Sequence, residues 1–147
     1  MDFRNSMLIV LGIVVLFIIV IYAVSTIEKN TETQQSQNQS IKLQWNIDLN
    51  SGFLLAQKSN KLVFVDFYAD WCGYCKELDE NTYTDTYVQQ RLAQKYVLVK
   101  INVDQNPDLA SKYKVYGLPT LVILDANGNE IKRQEVYVTP SELLNII

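Results

Sequence analysis

Apolar positions along this chain fall into three regimes. From Met7 to Val24 no residue is charged and Leu, Ile and Val dominate, with no polar face at helical spacing. A stretch of that length suits a bilayer-spanning helix better than one lying on a core. From Glu28 to Ser40 the pattern vanishes. Thr31 through Ser40 holds no aliphatic or aromatic residue, so it can bury nothing and reads as a flexible tether. From Ile41 to Ile147 short apolar runs alternate with segments of helical period, the pattern of an α/β domain.

Within that domain Leu43–Trp45 reads as a short first strand. Leu49–Ser59 reads as a helix that turns Phe53, Leu54 and Ala56 inward and is weakened by Gly52. Leu62–Tyr68 is a continuous run of strand formers, as expected of a central strand buried on both faces. A helix begins at Cys72 and carries Lys76, Glu77 and Leu78. Thr84 is the expected cap of a further helix through Gln94, with Val88 and Leu92 on its buried stripe. Val97–Val103 is the next strand. Asn106 as cap and Pro107 at the first helical position open a helix to about Tyr113. Thr120–Leu124 and Ile131–Val136 flank the turn-rich Asp125–Asn129 as two strands. Thr139-Pro140-Ser141-Glu142 combines a capping box with a first-turn proline and opens the last helix. The order predicts a central mixed β-sheet flanked by helices, preceded by one N-terminal transmembrane helix. The expected divisions are a cytoplasmic N-terminus over 1–6, an anchor over 7–26, a linker over 27–40 and the folded domain over 41–147.

Charge adds orientation and removes one class of partner. Arg4 precedes the apolar stretch, whereas Glu28, Lys29 and Glu32 follow it, so the positive-inside rule places the domain outside the cytoplasm. Ala23-Val24-Ser25 offers a cleavage site for a signal peptide, but the stretch is longer than the usual apolar region of one. Outside Asp2 and Arg4 the chain carries 12 basic and 15 acidic side chains, a balance that gives no basic face for nucleic acid.

The chemistry rests on two cysteines in a chain that has no histidine, Cys72-Gly73-Tyr74-Cys75, placed where a strand run meets a helix start. Two thiols cannot close a zinc site, which takes about four N or S ligands, so no metal is expected. A structural disulfide would close too short a loop to stabilise much. The spacing and context fit a dithiol that cycles between reduced and disulfide forms. A thiol at the first turn of a helix meets unpaired N–H groups and the positive end of the helix dipole, and both favour the attacking thiolate. The second thiol, one turn later, can resolve the mixed disulfide.

Three ordered segments resemble the thioredoxin superfamily: Val65 through Lys76 its active-site segment, Lys100 through Pro107 the strand-to-helix junction that follows, and Gly117-Leu118-Pro119-Thr120-Leu121 its cis-proline loop. Tyr68–Cys72, Cys75–Leu78 and Asn81–Asp85 through Val88 are similar to the C-terminal extracytoplasmic domain of DsbD-type transmembrane disulfide reductases. The resemblance covers Ile41–Ile147 and implies a thioredoxin-like fold, with Cys72 as nucleophile, Cys75 as resolving thiol and Asp66 as acid/base residue. A desolvated carboxyl has a raised pKa and can take the Cys75 proton near neutral pH; the alternative for Asp66 is a strand-end cap. Trp71, Gly73, Tyr74, Leu118 and Pro119 would form the substrate-binding surface, with the Leu118 backbone pairing to a partner's extended segment. Trp71 could equally be ordinary packing. Lys100 is either a neighbour of the buried carboxylate or an edge-exposed strand lysine. Two departures stand out: Gly-Tyr separates the cysteines where thioredoxins usually have Gly-Pro, and the glycine expected after the last strand is replaced, at Tyr137.

The resemblance further implies no cofactor beyond the redox-active Cys72–Cys75 disulfide, disulfide-containing protein substrates, and a membrane-embedded thiol electron donor. The expected protein is a membrane-anchored disulfide reductase. A disulfide oxidase or isomerase on the same fold, and a non-catalytic client-binding module, are the alternatives. The lack of a histidine between the cysteines favours reduction, since His⁺ there would stabilise the thiolate and make the pair more oxidising.

Overall fold

Six apolar or aromatic residues interrupted only by Asp66 leave no polar face for water, and the fold buries Leu62–Tyr68 on both sides. The computed structural model describes residues 13–25 and 41–147. Residues 13–25 form a helix, α1. In the second segment the order is β1 (Trp45–Asn46), α2 (Leu49–Ser59), β2 (Leu62–Tyr68), α3 (Gly73–Glu77), a π-helical turn (Leu78–Thr82), α4 (Thr86–Lys95), β3 (Tyr96–Asn102), α5 (Pro107–Lys112), β4 (Thr120–Leu124), β5 (Glu130–Glu135) and α6 (Pro140–Ile146). The strands form one mixed sheet in the order β1-β3-β2-β4-β5. β1 and β2 run parallel to β3, whereas β4 is antiparallel to both β2 and β5.

Because side chains alternate across a strand, β2 feeds two cores. Val63, Val65 and Phe67 pack with Leu49, Ala56, Val99, Ile101 and Tyr113 on one face. Phe64 packs with Leu78, Tyr83, Leu92, Leu98, Leu121 and Leu143 on the other. The same alternation puts Asp66 on the Phe64 face.

Local chemistry sets most of the helix ends. Asp48 Oδ2 accepts from the Ser51 N–H at 2.8 Å and starts α2, and the reciprocal box of Thr139 and Glu142 starts α6. The start of α4 differs from expectation. Asp85, not Thr84, is its cap, accepting from the Tyr87 and Val88 N–H groups at 2.9 and 3.0 Å. Thr84 instead donates back to the Glu80 carbonyl at 2.8 Å, closing the π-helical turn, an element without a simple periodic signature. Asn106 stands at the cap position of α5 but makes no capping bond; its side-chain amide donates instead to the Asn102 carbonyl at 3.0 Å. The first strand is Trp45–Asn46 rather than Leu43–Trp45, since only those residues reach the parallel register with Leu98 and Val99.

Gly52 and Leu54 also depart from the expected reading of α2. Leu54 is exposed, and the buried stripe is Leu49, Gly52 and Ala56. A Cβ on Gly52 would lie 2.5 Å from Val99 Cγ2, so the glycine lets the helix approach β3 rather than merely weakening it. The expected anchor over 7–26 reaches past the described residues at both ends, and the N-terminus over 1–6 and linker over 27–40 lie outside them. The described part, α1, would be about 20 Å long at ~1.5 Å per residue, short of the ~30 Å hydrocarbon core. Among the described residues no helix is long and apolar enough to cross a membrane.

Replacing Gly52 by Ala should gain up to ~1 kcal/mol of helix propensity and lose about 1–3 kcal/mol to overpacking against the stiff, buried Val99. Urea denaturation of G52A should therefore show a net loss; a stabilised variant would mean that α2 moves off the sheet at little cost.

Candidate functional site

The strand β2 ends at Tyr68, and the chain turns through Ala69-Asp70-Trp71 with the Cys72 N–H donating to the Ala69 carbonyl at 3.0 Å. Cys72 stays extended and caps α3, its Sγ accepting from the Cys75 N–H at 3.1 Å. Cys72 and Cys75 are joined as a disulfide. Both are nearly buried, in a small cluster with Ala69 against which Tyr68, Val103 and Leu118 pack. Downstream of Cys75 the helix widens, with the Tyr83 N–H donating to the Leu78 carbonyl at 2.9 Å. Such π-turns are frequent at functional sites.

Asp66 is fully buried, and neither of its carboxylate oxygens has a hydrogen-bond partner. Its nearest cation is Lys100 Nζ at 3.7 Å, delivered by the β2–β3 register that pairs these two residues. The ammonium is hydrogen-bonded not to Asp66 but to both oxygens of Asp79, the contact to Oδ2 being 2.6 Å. It also lies 5.0 Å from the Tyr68 ring centre, 5.6 Å from Trp45 and 5.9 Å from Tyr83. Burial pushes the Asp66 carboxyl up to about 7; Lys100 opposes this and Asp79 adds to it. The Tyr83 hydroxyl, also buried without a hydrogen bond, is held well above its ordinary value, chiefly by burial and then by the Asp66 charge. A carboxyl poised in this range can hold or take up a proton at neutral pH. Lys100 therefore joins the buried carboxyl to the helix that carries Cys75, since Asp79 lies one turn after that cysteine.

The remaining expected positions gather around the sulfurs. The Leu118–Pro119 peptide is cis. Leu118 packs on the cysteine cluster and stays half-buried, whereas Pro119 is buried, so its ring offers little surface. Trp71 is exposed and donates from Nε1 to Asp104 at 2.9 Å, so its ring is anchored at the rim rather than packed inside. Tyr74 is exposed, with its ring 6.3 Å from that of Tyr137. Gly73 is exposed, and a Cβ there would meet nothing within 4 Å. Lys100 is the carboxylate's neighbour and not an edge lysine.

The left-handed backbone expected of a glycine is at Val136 (φ 67°), one residue before Tyr137. Its N–H donates to the Pro119 carbonyl at 3.0 Å. Sequence reasoning also missed Asp79, Tyr83, Trp45 and Asp104. Only Asp79 left a signal, its helical spacing from Cys75; Trp45 is placed by strand register, Tyr83 by the end of the π-helical turn and Asp104 by the turn after β3.

Residues 51–147 match the family model for thioredoxin. Among curated proteins the chain is similar to the thiol:disulfide interchange protein DsbD of Photorhabdus laumondii, 39% identical over 109 residues, covering 72% of this chain and 19% of that protein. It is also similar to DsbD of Tatumella citrea, 43% identical over 96 residues, covering 61% of this chain and 16% of that protein. The chain thus spans under a fifth of the length of these relatives. Among solved structures a thioredoxin from Thermus thermophilus has a TM-score of 0.65 at 28% identity, over 72% of this chain and 85% of that one. A structure described as DsbH oxidoreductase has the same TM-score at 19% identity, over 73% of this chain and 83% of that one, which speaks to fold alone.

The Asp66 carboxyl titrates higher in the folded than in the unfolded chain, from a usual 3.8 to about 7. The folded state therefore binds more protons across that window, and stability should fall as pH rises through it. D66N removes the group. Its stability relative to wild type, both disulfide-bonded, should rise between about pH 4 and about pH 8 by on the order of 4 kcal/mol. Parallel denaturation curves at the two pH values with no such divergence would show that Asp66 titrates normally.

Proposed function

The chain belongs to the thioredoxin family, and from that premise we propose that it is a thiol:disulfide oxidoreductase working as a disulfide reductase on extracytoplasmic proteins. The strongest support is the Cys72–Cys75 disulfide at a helix start, in a domain whose adjoining strand β2 buries a carboxyl poised near neutrality. The similarity to DsbD proteins, named for thiol:disulfide interchange, points the same way.

In the reduced protein, the Cys72 thiolate attacks one sulfur of a client disulfide. That S–S bond breaks, the distal client sulfur leaves as a thiolate and takes from solvent the proton that Cys72 released on ionising, and a Cys72–client disulfide forms. The Cys75 thiol passes its proton to the Asp66 carboxylate, directly or through one water, and attacks Cys72 Sγ. The client's second sulfur leaves and takes the proton back from Asp66. Two electrons and two protons have then moved to the client, and Cys72–Cys75 is oxidised. The reverse exchange with a donor dithiol restores it. Trp71, Gly73 and Tyr74 form the docking rim, and the Leu118 backbone pairs with the client segment.

The uncharged Met7–Val24 stretch, preceded by Arg4, supports a single-pass anchor with the domain outside the cytoplasm. The polar 27–40 segment acts as its tether. Anchoring raises the effective concentration of the domain beside other membrane proteins, which makes a membrane-embedded thiol protein the natural electron donor.

Two measurements test this reading. C72S should abolish exchange and C75S should accumulate a mixed disulfide with the client, while the Cys72–Cys75 couple should lie nearer ~−270 mV than ~−120 mV. Those potentials differ by about 7 kcal/mol, so an oxidising value would replace the reductase by an oxidase or isomerase. For topology, S36C should react with a membrane-impermeant maleimide on intact cells; reaction only after lysis would sink the anchor orientation and the membrane donor together.

A further inference from the structure

Among the described residues, three other than glycine have positive φ: Asn60, Lys114 and Val136. The first two are explained by helix ends. Asn60 closes α2 with its N–H on the Ala56 carbonyl, and Lys114 follows α5 with its N–H on the Ser111 carbonyl. Val136 ends no helix. A β-branched residue in this region crowds its Cβ against the following carbonyl, and such an outlier persists only where its surroundings over-determine it.

Those surroundings are the candidate site. The Val136 N–H is held by the Pro119 carbonyl, the adjoining Leu118 packs on Cys72 and Cys75, and the ring of the next residue, Tyr137, lies tilted 6.3 Å from that of Tyr74, between the cysteines in sequence. The backbone is thus clamped on both sides. The side chain is not: Val136 is 65% exposed, so the strain is not offset by burial in the folded domain. A glycine would adopt the same conformation without the crowding. With Pro119 itself buried, the Val136 isopropyl is an exposed apolar group at this point of the rim.

We infer that Val136 is a specificity-determining residue: its side chain fills the notch beside Pro119 that a glycine would leave open, and admits client segments with a small side chain at that point while rejecting large ones. This rests on the disulfide-exchange reading. A client segment pairing with the Leu118 backbone passes the Pro119 carbonyl, and a branched side chain there removes the volume that a large client residue needs. Discrimination by steric volume of this kind is worth about tenfold or more in kcat/KM.

The test uses the full chain and synthetic peptides that contain one intramolecular disulfide. Each carries Gly or Leu at one of the two positions on either side of the attacked cysteine. Wild type must first reduce the all-Gly peptide; failure there removes the exchange reading itself. Given exchange, wild type should prefer Gly over Leu about tenfold in kcat/KM at one of those positions, V136A should reduce that preference, and V136G should abolish it. No preference in wild type at any position, a preference for Leu, or the same preference in V136G overturns the inference. A higher thermal midpoint for V136G with an unchanged preference overturns it too, since Val136 would then be only a strained residue.

Discussion

A carboxyl with no hydrogen-bond partner, placed in the central strand of a sheet buried on both faces, is the constraint around which this domain is arranged. Ionised and alone at that depth, Asp66 would be expensive, and its pKa rises in response. The fold supplies partial relief in the form of Lys100, held close enough to be felt and kept by Asp79 from a direct hydrogen bond. Full pairing would leave the carboxyl ionised throughout the neutral range, and no cation at all would leave it protonated. The intermediate arrangement leaves the carboxyl pushed up to about 7, with burial raising it and Lys100 opposing.

That arrangement ties together elements far apart in sequence. β2 brings the acid, β3 brings the lysine one register position across, and the π-helical turn after α3 brings Asp79 and Tyr83. The ring of Trp45 from the edge strand completes an aromatic surround with Tyr68 and Tyr83. The opposite face of β2 is purely apolar and closely packed, with Gly52 letting α2 settle on Val99. One face of the strand is thus wholly apolar, while the other combines the Phe64 core with a single costly polar group. The exposed rim, with Trp71 anchored on Asp104 and Val136 clamped between Pro119 and Tyr137, sits above both.

Much of this was legible along the chain because it is written in local spacing. The β2 run, the α2 limits, the capping box of α6, the proline that opens α5 and the strand-to-helix position of the cysteine pair need only neighbours within a few residues, and each is found as read. Misreadings arose where a neighbouring residue or a tertiary contact outvoted the expected preference. Thr84 looked like a cap until Asp85 took the free N–H groups, and Gly52 looked like a flaw until Val99 was placed beneath it. Leu54 looked buried on hydrophobicity alone, yet the stripe that faces β3 excludes it.

The sequence by itself determined the α/β order, the dithiol with its leading cysteine at a helix start, and the depth at which Asp66 would lie, since period-two alternation and helix capping are properties of adjacent residues. Only the tertiary structure decided that Lys100 faces Asp66 rather than solvent, that Asp79 shares its charge, and that the left-handed residue at the rim is Val136 and not Tyr137. Those facts depend on strand register and on hydrogen bonds between loops distant in sequence. Shifting a register by one residue would exchange every face, and no local pattern carries that information.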